Sequence, residues 1–129
     1  MEGNIGRVLS LGGGEGAVAD PVVQSMMCLG LYNLARGSVK NKVAIAKAGG
    51  IAAVIGAMGR FEGDAGVQED GCDALVYLAH GNEENQVAIA AAGGVAAVIG
   101  GMGLFEGHAG VQQYGCGALR NLGMNGKER

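Results

Sequence analysis

Apolar residues recur along this chain at helical spacing, in runs that stop and restart at pairs of glycines. Ile51, Val54, Ile55 and Met58 share one face of a helix, as do Val95, Val98, Ile99 and Met102. Gly49-Gly50 and Gly93-Gly94 stand just before these runs and stop the helices that precede them. Those preceding helices start at Ser38 and Asn82, side chains that cap free backbone N–H groups, and Glu83 and Glu84 suit the positive end of the second. Asp64 caps a longer third helix. Asp20-Pro21 marks the same kind of start earlier, with proline at the tolerated first position. No segment alternates apolar and polar residues as a half-buried strand does. The pattern predicts an all-α chain of eight helices.

The pattern also repeats. Residues 41–81 align without a gap to residues 85–125, an offset of 44, and 27 of the 41 pairs are identical. A further step back matches Val23, Gln24, Cys28, Leu31, Leu34, Ala35 and Gly37 to the middle copy. Ile5 to Leu11 is a degenerate form of the IAAVIGAM segment. The chain divides into a partial unit (1–37) and two full units (38–81 and 82–129), forming a single domain. A period of about 40–47 residues is that of stacked helical repeats.

The motif N-x-V-A-I-A-x-A-G-G-[IV]-A-A-V-I, followed by V-Q-x-x-G-C-x-A-L-x-[NY]-L, resembles the armadillo repeat along essentially the whole chain. The resemblance implies a right-handed α-solenoid of three-helix repeats whose third helices line a concave groove for extended peptides or protein partners. It also implies that an asparagine in the A-L-x-N-L segment grips partner backbone. Asn33 and Asn121 hold that position here, and Tyr77 replaces it in the middle unit. The tryptophan that import adaptors carry four residues earlier is Leu29, Asp73 or Gly117, which argues against a nuclear-localisation-signal receptor.

Comparing the two full copies separates positions that the repeat fixes from those it leaves free. Val67, Gly71, Ala74, Leu75 and Leu78 are kept as Val111, Gly115, Ala118, Leu119 and Leu122, and their spacing marks one helical face. That face is the expected core. Glu69, Asp73, Val76, Tyr77 and His80 change, and the same spacing puts them opposite, on the expected partner face. The equivalent stripes are Ser25, Leu29, Tyr32, Asn33 and Arg36 in the first unit, and Gln113, Gly117, Arg120, Asn121 and Met124 in the last. The partner-binding expectation rests on Tyr32, Asn33, Arg36, Glu69, Asp73, Tyr77, His80, Arg120 and Asn121, because tyrosine and arginine are enriched where binding energy concentrates.

Composition narrows the function without naming it. There are 27 glycines among 129 residues, about three times the usual share, and 49% of the chain is apolar. The apolar share excludes disorder, and a single proline (Pro21) with no Gly-X-Y period excludes collagen. Only 4% is aromatic, so the core must be aliphatic and thin. A net charge of −3 argues against a nucleic-acid binder held by phosphate contacts. Val87 to Phe105 is an uncharged stretch of about membrane-span length, but its counterpart Val43 to Phe61 carries Lys47 and Arg60, which argues against a span.

Cys28, Cys72 and Cys116 occupy one equivalent position. They are expected to be buried, reduced and unbridged, since adjacent packed helices sit too far apart for a disulfide. That suits a reducing intracellular compartment, the cytoplasm first. No second ligand pair accompanies them, so no metal or cofactor is expected. His80 and His108 lack a neighbouring nucleophile–carboxylate pattern, and the GEGAVA loop follows no strand, so neither catalysis nor dinucleotide binding is expected. Gln24, Gln68 and Gln112 are expected to form a ladder between units. The functional expectation is a non-catalytic interaction module or scaffold. The alternative is an accessory subunit docked in a larger assembly through its ends, near Val8, Leu9, Leu11, Val111 and Leu119.

Overall fold

A computed structural model describes residues 2–123, and every regular element among them is a helix. The first unit holds α1 (Glu2–Gly13), α2 (Glu15–Val18) and α3 (Pro21–Ala35). The middle unit holds α4 (Val39–Lys47), α5 (Gly50–Arg60) and α6 (Ala65–Ala79). The last holds α7 (Glu83–Ala91), α8 (Gly94–Leu104) and α9 (Ala109–Asn121). Nine described helices replace the expected eight. The addition is α2, and hydrogen bonds show its origin. Gln68 spans ten residues back to the Met58 carbonyl, whereas Gln24 spans twelve back to Gly12. Two extra residues in the first unit wind into one short turn.

The capping residues act as their types dictate. Backbone N–H groups of Val22, Asn41, Val67 and Asn85 donate to the side chains of Asp20, Ser38, Asp64 and Asn82. In the last unit His108 takes the place of Asp64, and its Nδ1 accepts from Val111 N. The Gly-Gly breaks have a steric cause. Gly49 and Gly93 sit at φ 89° and 91°, the left-handed region that disfavours other residues. A side chain at Gly50 or Gly94 would collide with the isoleucine five residues earlier and with its carbonyl.

The third helices α3, α6 and α9 pack side by side, with α6 in the middle, and the shorter helices pack behind them. The fixed face of α6 forms the core as expected. Val67, Gly71, Ala74, Leu75 and Leu78 are all buried, with Ile45, Val54 and Met58 against them. Two columns of amides tie the layers together. Asn41 and Asn85 are buried and donate to the Leu34 and Leu78 carbonyls. Gln68 and Gln112 each donate to two carbonyls at the end of the preceding helix of their own unit, and Gln24 donates to one carbonyl in α1 and one in α2. The glutamines therefore lock each unit internally rather than forming a ladder between units; only the Arg60 guanidinium, donating to Gln24 Oε1, crosses a boundary there. Leaving such a buried amide or carbonyl without its partner costs about 1–3 kcal/mol.

The uncharged stretch Val87 to Phe105 divides between α7 and α8, which meet at a bend of 70°. Among the described residues no single helix is long and apolar enough to cross a membrane.

Candidate partner-binding surface

In a row of three helices, the middle one has a neighbour on each flank. Two opposite flanks of α6 are therefore occupied, and only a narrow stripe is left between them. Along one flank, Ser25 of α3 donates its hydroxyl to Asp70, and the Tyr32 and Tyr77 rings stack with centroids 5.5 Å apart at 23°. Along the other, Val76 meets α9, where its carbonyl accepts from Asn121 Nδ2 at 2.9 Å. Glu69 lies against Gly110 and within 3.8 Å of His108 Nε2.

This arrangement splits the nine expected site residues. Asn33, Arg36, His80 and Arg120 are exposed, while Tyr32, Glu69, Tyr77 and Asn121 are half-buried in the seams. Asp73 is the correction, because it is only 6% exposed rather than solvent-facing. A helical wheel puts it opposite the core, but the flanking helices cover that side as well. Both expected backbone-gripping amides already have partners within the chain. Asn33 Nδ2 donates to its own helix at Leu29, and Asn121 Nδ2 to Val76 of α6. Met124, the last member of the expected stripe, lies outside the described residues.

Asp73 is the electrostatic centre of the surface. Its Oδ1 is buried and has no hydrogen-bond partner among the described residues. Burial, then the charges of Asp70 and Glu69, push its carboxyl from 3.8 up to about 6, against a smaller opposing pull from Arg36. The Arg36 guanidinium lies 5.8 Å from the centre of the Tyr32 ring, within cation–π range.

Tyr114 is a member that sequence comparison did not mark. Its phenol is raised first by the Asp73 charge, with smaller contributions from burial, Glu69, Tyr32 and Tyr77. It occupies the position of Met26 and Asp70, which is neither a kept core position nor part of the expected stripe. The signal available was that all three tyrosines of an aromatic-poor chain fall in third helices.

The cysteines divide by place in the row. Cys28 and Cys72 are fully buried, with thiols pushed up to about 12 chiefly by that burial. Cys116 is exposed, against expectation, because among the described residues no further third helix packs against α9. Among the described residues no three His, Cys, Asp or Glu side chains converge as metal ligands would. No family model matches this chain, nor does any curated protein or solved structure compared with it.

Proposed function

We propose that the chain is a non-catalytic binding module of armadillo type, a solenoid of three-helix repeats that takes a protein or extended peptide along the α3–α6–α9 row. The observation that carries this reading is the gathering of every tyrosine in the chain on that row, Tyr32 stacked on Tyr77 and Tyr114 within electrostatic reach of both. Such rings supply large contact area at small entropic cost and are enriched among residues that dominate binding. Arg36 at one edge and Glu69 nearer the centre add charged groups that orient a partner. The groups that hold the partner are Tyr32, Tyr77, Tyr114, Arg36 and the exposed Asn33 and Arg120. Asp73 acts beneath them through its charge.

A random-peptide display library selected on the immobilised chain tests this reading. Enriched peptides are expected to lose about tenfold or more in affinity for Tyr77→Ala, the loss of about 1.4 kcal/mol that a hot-spot tyrosine commonly exceeds. Peptides that bind the variant as tightly as the wild type, with helical content unchanged, would remove the row from the binding site.

A further inference from the structure

The unit-to-unit interface inside the chain has a leading and a trailing side, and among the described residues each is uncovered once. On the leading side of the middle unit, Gly66 and Asp70 meet Ser25, Tyr77 meets Tyr32, and Asp73 and Ala57 are buried. The same positions in the first unit are Val22, Met26, Asn33, Leu29 and Leu11. Val22 is 65% exposed and Met26 58%, and Leu29 and Leu11 are exposed too. Where the covered leading side is small or acidic, the bare one is apolar.

The last unit keeps residues that in the middle one are better covered or line its groove with α8. Val43, Ile55, Met58, Glu62, Gln68 and Cys72 recur as Val87, Ile99, Met102, Glu106, Gln112 and Cys116. Each buried or half-buried apolar member of the first set is more exposed in the second, Ile99 reaching 53% and Val87 67%. One change suits an apolar neighbour: Glu69, which faces α9, becomes the uncharged Gln113.

We infer that copies of this chain join end to end, the trailing side of one last unit seated on the leading side of the next copy's first unit. The join continues an interface the chain already makes twice internally. Charge agrees with the register. Glu62 lines a groove between α5 and α8 with Ala96 and Ala97, whose counterparts in α1 are Gly6 and Arg7. Gly6 and Arg7 line an open groove on α1, so Glu106 of one copy arrives opposite Arg7 of the next. Such a contact is heterologous, so association continues beyond a pair, into a ring where the rotation closes and into a filament where it does not.

Sedimentation of the chain over a range of concentrations, with two double variants, tests the inference. Met26→Lys with Leu29→Lys blocks the leading side, and Ile99→Lys with Cys116→Arg blocks the trailing side; all four side chains are exposed, so helical content should be kept. Wild-type mass is expected to rise steadily from 12.8 kDa without levelling at two copies. Each double variant alone should stay at one copy, and an equimolar mixture should form pairs and nothing larger, because each retains one working side. A wild type that stays single up to about 0.5 mM, a range that includes weak association, overturns the inference. So does association that survives both variants, or a mixture that remains single. Ile99→Lys alone provides the same reading should the trailing double lose its helical content.

Discussion

The middle and last units share most of their residues, yet one is packed through and the other is half open. Cys72 and Leu75 are fully buried in the middle unit, whereas their counterparts Cys116 and Leu119 are exposed and half-buried. Identical side chains at equivalent positions thus have different surroundings. The difference lies in the neighbour, since α6 has α3 and α9 on its flanks and α9 has only α6 among the third helices. Burial here is a property of place in the row, and the energetics of each substitution should follow it.

The largest expected effect sharpens that contrast. Leu75→Ala removes a fully buried side chain and should cost about 2–5 kcal/mol, whereas Leu119→Ala should cost less than half as much because solvent already reaches the site. Chemical denaturation of the two variants checks this. Equal losses would mean that the last unit is as well covered as the middle one.

A smaller effect concerns the seam itself. Asp73 has a folded pKa of about 6 against an ordinary 3.8, so its charge opposes folding above about pH 6. As pH falls from 6 towards 4, the folded chain takes up a proton that the unfolded chain does not, and this cost disappears. The chain should therefore gain up to about 3 kcal/mol from this group between pH 7 and pH 4, since each tenfold difference in proton affinity between folded and unfolded chain is worth about 1.4 kcal/mol. Asp73→Asn should remove most of that gain in thermal melts across the range. A variant that keeps the full pH dependence would place its source elsewhere.

Local features were the readable part of this molecule. The caps at Ser38, Asp64 and Asn82 and the glycine breaks depend on a few adjacent residues, so residue type and order suffice for them. The core face of α6 was readable because two copies in one chain share it. The flanks were not. Tyr77 and Val76 vary between copies where they meet flanking helices, at Tyr32 and Gly117, and Asp73 is buried between those helices rather than facing water. Variation between copies therefore marks both solvent and seam, and only the packing of α3 and α9 separates them. Tyr114 is hidden for the same reason, lying in a column that holds Met26 in one unit and Asp70 in the next. The glutamine column is visible in the repeat but its partners are not, since equal spacing along the chain does not tell an intra-unit bond from an inter-unit one.

The three cysteines report on the central claim that neighbouring units decide burial, because the chain places one in each unit at the same position. Time-resolved modification of the native chain by a thiol reagent, at low protein concentration and followed by peptide mapping, reads all three at once. Cys116 should react promptly, while Cys28 and Cys72, buried and with thiols pushed up to about 12, should react only on unfolding. Prompt reaction at Cys72, or equal rates at all three positions, would contradict the account.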